Sequence, residues 1–159
     1  MPDFEIVLSG DDVEVSDMST LVDLPFCVRA GDKYFPHEQW TDVANDVLPW
    51  WVENFLRNRW AITPEYRFQF MEGPYRMDAR QDGDELFLTG ISERGINRIT
   101  EFEITLPVSE FLRELLRAFR KLRKIVYGSD AFEDERTRQI VLESVDHYTE
   151  ILEKTLTDI

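Results

Sequence analysis

Tyr66-Arg67-Phe68-Gln69-Phe70-Met71-Glu72-Gly73-Pro74-Tyr75-Arg76-Met77-Asp78-Ala79-Arg80 is the stretch whose pattern decides the fold. Apolar side chains alternate with polar ones, Phe68/Phe70 before the turn and Tyr75/Met77/Ala79 after it, as in strands with one face buried and the other wet. Glu72-Gly73-Pro74 supplies the turn. Glu85 to Ile91 and Arg98 to Leu106 continue the alternation across Asp82-Gly83-Asp84, so residues 66–106 are expected to form four consecutive strands of an antiparallel meander.

On the N-terminal side of this block the period changes. From Pro36 to Asn58, Trp40, Val43, Ala44, Val47, Leu48, Trp51, Val52, Phe55 and Leu56 recur at steps of three and four, which predicts an amphipathic helix bent or divided near Leu48 by Pro49. Phe4 to Leu8 and Phe26 to Ala30 read as short strands, and residues 11–24 as an irregular stretch. On the C-terminal side, residues 110–127 carry an apolar stripe after a Ser109 N-cap, Gly128 ends that helix, and Asp130 with Glu133 offers a capping box for a last helix reaching about Thr157. The fold class expected is α+β: an antiparallel sheet of four to six strands packed against a Pro-kinked helix and a C-terminal antiparallel helical hairpin, in a single domain spanning 1–159.

Composition bounds the function. With 43% hydrophobic residues among 159, the chain has enough apolar surface to form a core without disulfides or metal. The N-terminus lacks a signal-peptide pattern and no apolar run approaches the ~18 residues of a membrane span, so a cytoplasmic protein with no membrane partner is expected. Thirty-two acidic against eighteen basic residues give a net charge of −14, which argues against nucleic acid and suits a protein partner with a basic surface.

Catalytic and metal chemistry find little support. Cys27 is the one cysteine and reads as a buried hydrophobe, while His37 and His147 stand 110 positions apart without a ligand-spaced neighbour. Ser9 and Ser92 lack a nucleophile elbow, the glycines form no phosphate loop, and Asp11, Asp12, Glu14 and Asp17 lack the glycine and glutamate of a calcium loop. No cofactor is expected.

Three surface features remain. Glu38, Asp42, Asp46 and Glu53 follow steps of four, four and seven, which puts four carboxylates along one helix face opposite the tryptophan stripe, either as a solvated face or as a strip that, with Trp50 or Trp51, docks a basic partner. Arg113, Arg117, Arg120, Lys121 and Lys124 form a basic face, expected to meet the acidic last helix or another subunit rather than an anion. Of four tryptophans near Pro49, at least two are expected in the core and one of Trp50 or Trp51 at the surface, where an indole beside carboxylates suits an interface anchor.

Residues 34–80, through Phe35-Pro36, Trp40, Trp50-Trp51 and Glu72-Gly73-Pro74-Tyr75, resemble a pattern among small uncharacterised bacterial proteins, some associated with immunity proteins of polymorphic toxin systems. The resemblance implies a module that neutralises a basic toxin by covering it and transfers no catalytic residue. Two alternatives stay open: a small-molecule binder or enzyme with a pocket between helices and sheet lined by Arg76, Arg80 and His37, and a structural or regulatory homodimer using the C-terminal hairpin.

Overall fold

The computed structural model describes residues 3–159. Its elements run β1 (Phe4–Leu8), β2 (Glu14–Ser16), β3 (Leu21–Ala30), β4 (Lys33–Phe35), β5 (Thr41–Val43), α1 (Ala44–Asn58), β6 (Glu65–Gln69), β7 (Tyr75–Asp82), β8 (Glu85–Arg94), β9 (Asn97–Pro107), α2 (Val108–Gly128) and α3 (Glu135–Thr157). They form two antiparallel sheets, one of five strands built on β3 and one of four strands in the order β6-β7-β8-β9, with an α-helical pair at the C-terminus.

The meander follows the alternation. Phe68, Met77, Ala79, Leu86, Leu88 and Leu106 point inward and are buried, while Arg67, Gln69, Glu103 and Thr105 are exposed. Gly90 lies opposite Phe102, and a Cβ there would sit 2.2 Å from a carbon of the ring, so the ring covers the backbone only because the residue is glycine. The register shifts between Gly90 and Ile91, leaving Glu101 without a partner on β8 as a bulge.

The first sheet departs from expectation. Residues 11–24, expected to be irregular, contain β2 and the first part of β3. The N-terminal half of β3 pairs with β2 and β5, and its C-terminal half with β1 and β4. Pro25, which has no N–H to give a ladder, stands where the strand exchanges one set of neighbours for the other. The helix expected from Pro36 instead begins at Ala44. Residues 36–40 form a turn after a cis Phe35–Pro36 peptide, and Thr41–Val43 joins the edge of β3. Pro49 consequently falls in the second turn of α1, and the helix continues through it.

Side chains of α1 close the edge of β6. Asn54 accepts a hydrogen bond from the Arg67 amide at 2.9 Å, and the Trp51 indole donates to the Gln69 carbonyl at 2.8 Å. An open strand edge is a template for unwanted pairing, and α1 removes it. The aromatic core joins every layer: Phe111 of α2 stacks on Phe68 of β6 at 4.9 Å and meets Phe4 of β1 at 5.7 Å, and Trp51 lies 5.5 Å from Phe26 of β3. The C-terminal helices pack as expected but start differently. Pro107 rather than Ser109 precedes α2, and Asp134, which accepts a hydrogen bond from the Arg136 amide, caps α3 in place of Asp130.

Candidate functional site

The carboxylate row expected on one helix does not exist, because the helix starts eight residues later than its periodicity suggested. Glu38 is exposed in the turn before β5. Asp42 lies in β5 and is wholly buried. Asp46 is half-buried in the first turn of α1, where burial raises its carboxyl above the usual range. Glu53 is exposed but accepts a 3.0 Å hydrogen bond from the Tyr148 hydroxyl of α3. Trp51 is 0% exposed, so Trp50, at 44%, is the member of that pair that reaches the surface.

Asp42 explains why the corner beside it keeps its shape. Its Oδ2 accepts from the Trp40 indole at 3.2 Å, the Met71 amide at 3.1 Å and the Glu72 amide at 3.4 Å, while Oδ1 accepts from the Val43 amide at 2.8 Å. One buried carboxylate thus ties β5 to the β6–β7 turn. Above it the rings are interlocked. His37 meets Trp40 edge-on at 5.2 Å, Trp40 meets Tyr75 at 5.1 Å, and Tyr75 meets Phe35 at 5.8 Å. Gly73, in the left-handed region at φ +71°, brings the turn against these rings; a Cβ there would lie 3.0 Å from Trp40 and Tyr75. Trp40, Met71 and Tyr75 remain half-exposed.

Negative charge gathers at this corner. Burial raises the Asp23 carboxyl above its usual range, and Asp42, Glu14, Glu72 and Asp12 raise it further by like-charge repulsion. Glu14 pairs across the ladder with Asp23, and Asp42 occupies the next rung of β5. No cation is among the groups that shift Asp23, and Arg94 donates a 3.1 Å hydrogen bond to the hydroxyl of Tyr75 in the neighbouring ring cluster. Periodicity missed this corner, because its members come from three strands, the loop before β2 and the β6–β7 turn. The local signal present was the run of acidic residues from Asp11 to Asp17.

Elsewhere the charges compensate one another. On the outer face of the second sheet, Asp78 forms ion pairs with Arg76 at 3.0 Å, Arg67 at 3.4 Å and Arg98 at 3.6 Å, and Arg76 also reaches Glu93 at 2.8 Å. Burial works against the charge of Arg76, but its hydrogen bonds to Glu93 and Asp78 prevail and hold the guanidinium ionised. On α2, Arg120 pairs with Glu153 at 3.8 Å and Arg123 with Asp146 at 2.8 Å, both across to α3. Arg117 is tied to Glu114 and to the Ile6 carbonyl. Arg113, Lys121 and Lys124 are exposed on the same helix.

A hollow of about 560 Å³ lies where α1 meets the outer face of the second sheet, lined among others by Asn54, Tyr66, Arg67, Arg80 and Phe87. Arg80 is there as a pocket reading requires. Arg76 is engaged with Asp78 and Glu93, and His37 stands against Trp40 in the acidic corner, so these three polar groups do not converge. Among the described residues no group of three or more His, Cys, Asp or Glu side chains is placed to hold a metal ion, and no helix is long and apolar enough to cross a membrane. Comparison with protein-family models, curated proteins and solved structures gave no match.

Proposed function

We propose that this chain is a non-catalytic protein-binding module of the immunity type, which neutralises a basic partner, such as a cytoplasmic toxin enzyme, by covering it. The observation that carries the reading is that the ladders of β3 set Glu14 opposite Asp23 and Asp42 on the adjoining rung, the Glu72 amide bonds to Asp42, and like-charge repulsion reaches Asp23 from Asp42, Glu14, Glu72 and Asp12. Repulsion of that kind is relieved when a cationic surface arrives, so the corner is attractive to a basic protein and repels acidic ones.

Geometry adds specificity to charge. The half-exposed Trp40 and Tyr75 are held edge to edge beside the carboxylates by Asp42 and Gly73. Rigid aromatic side chains lose little freedom when covered, and an arginine can lie on their faces while its charge meets the acidic rim. The site of the expected interaction therefore moves from the face of α1 to the corner where β3, β5 and the β6–β7 turn meet.

The experiment is association with the protein encoded beside this one, followed by biolayer interferometry at low and high salt. Reversal of the rim by Asp23→Lys with Glu72→Lys should slow association by about tenfold at low salt, with the difference shrinking as salt rises. An unchanged association rate for a folded variant refutes the placement of the site, and a neighbour that does not bind at all refutes the immunity reading.

A further inference from the structure

At the opposite end of β6 and β7 the surface has another character. The loop from α1 to β6 presents Trp60 at 81% exposure and Ile62 at 101%. The Arg59 guanidinium lies between two rings, 4.4 Å from the centre of Trp60 and 5.5 Å from that of Phe55. A hollow of about 500 Å³ separates this loop from β7, lined among others by Arg59, Ile62, Pro64, Arg80 and Asp82, so two guanidiniums stand there against one carboxylate. Arg80 borders the larger hollow as well and sits 5.1 Å above the ring of Phe87, itself 36% exposed. Arg59, Ile62 and Arg80 line this hollow, Trp60 lies against Arg59 and Phe87 lies against Arg80, and together they are called the ledge.

Two features separate this ledge from an ordinary solvated loop. Fully exposed tryptophan and isoleucine side a concave surface, whereas scattered single apolar residues would not. Neither Arg59 nor Arg80 forms an ion pair within 4.0 Å among the described residues, although the chain has 32 carboxylates for 18 cations. Glu65 stands directly opposite Arg80 in the ladder and still does not pair with it. The position of Arg57 and Arg59 at the C-terminal end of α1 suits the helix dipole, but Arg80 and the apolar residues gain nothing from that.

We infer that this ledge is a second docking surface, and that it takes a short protein segment in which an apolar side chain is flanked by carboxylates. Charge complementarity selects that occupant. The two guanidiniums without carboxylate partners want anions, the indole and isoleucine want an apolar side chain, and a long polyanion is disfavoured because the chain as a whole carries −14. Because the acidic corner lies at the other end of the sheet, the two surfaces can be filled at once, and this inference stands independently of the corner's role.

The test uses the intact protein and a synthetic peptide of about twelve residues carrying two leucines among glutamates, followed by anisotropy and by the emission of Trp60. Saturable binding with a blue shift of the tryptophan emission is expected. Trp60→Ala with Ile62→Ser should abolish it, and Arg59→Gln with Arg80→Gln should weaken it about tenfold, with unchanged thermal midpoints because these side chains are largely outside the core. Asp23→Lys with Glu72→Lys, at the far corner, should leave it intact. The inference fails if the peptide does not saturate, if binding survives Trp60→Ala with Ile62→Ser, or if a single-stranded DNA of equal charge binds more tightly.

Discussion

Asp42→Ala is expected to destabilise the fold although the side chain contacts no partner. The buried carboxylate serves four donors, the Trp40 indole and the amides of Val43, Met71 and Glu72, and all four lose this acceptor on truncation. A buried donor left without a partner costs about 1–3 kcal/mol. Trp40 and Met71 are half-exposed, so water can reach part of the gap and the lower figure applies to each. Over four donors, with the 3.4 Å bond from Glu72 the weakest, the sum is about 3–4 kcal/mol, or a fall in the thermal midpoint of about 6–16 °C for a chain of this size. Loss of repulsion with the half-buried Asp23 offsets part of this. Asp42→Asn keeps one acceptor oxygen and should cost about 1–2 kcal/mol. Urea unfolding of both variants measures these values, and amide exchange locates them: Met71 and Glu72 should lose protection while Phe68 keeps it. A cost for Asp42→Ala below about 0.5 kcal/mol, or unchanged protection at both turn amides, would show that the carboxylate does not hold the corner.

Gly90→Ala places a Cβ against the Phe102 ring and should cost about 1–3 kcal/mol, part of which Phe102→Leu in the same chain should restore, as a double-mutant cycle in urea would measure. Asp23 has a raised carboxyl pKa in the fold, so the folded state binds its proton more readily than the unfolded chain does, and stability declines as pH rises from about 3.8 through the raised value. Asp23→Asn should therefore raise the thermal midpoint at pH 7 and leave it unchanged near pH 3. Tyr148, its phenol pushed up to about 12 by burial and by the neighbouring Glu53, should remain un-ionised after exposed tyrosines have titrated. Buried Tyr66 is likewise pushed up to about 12, so in spectrophotometric titration Tyr148→Phe should lose one of two late-titrating phenols, and the wild-type fold should lose the stability linked to Tyr148 between about pH 10 and 12.

Side chains obeying a single local period were legible, and those serving distant neighbours were not. Phe68, Met77 and Ala79 alternate because their own strands face the core, and residues 111–126 of α2 repeat because one helix face is buried, so the meander and the C-terminal pair could be read directly. Trp40 and Val43 also fit the helical period, yet neither is helical. Residues 41–43 gain more by pairing with Asp23, Leu24 and Pro25 than by adding a turn to α1, and Asp42 gains four donors that no helix would give it. β2, β4 and β5 have three residues each, too short to express a period of two. The acidic corner was illegible for the same reason: its five carboxylates spread from position 12 to position 72 and meet only through the ladders of β3.

Phe35, Trp40, Gly73 and Tyr75 interlock in this corner, which separates what builds it from what charges it. Replacing Asp42 removes the acceptor that joins β5 to the turn, and any side chain at Gly73 must displace Trp40 or Tyr75. Asp12, Glu14 and Glu72 are exposed, and the Asp23 side chain is half-buried. None of the four is tied by a side-chain hydrogen bond or ion pair among those of the described residues. A binder that must follow a changing partner needs a frame that stays and a rim that varies, because specificity is a difference of affinities and is retuned by adding or removing repulsive groups. On the proposed reading, the frame in this chain is neutral rings and one satisfied carboxylate, and the rim is four carboxylates whose exchange is expected not to loosen it.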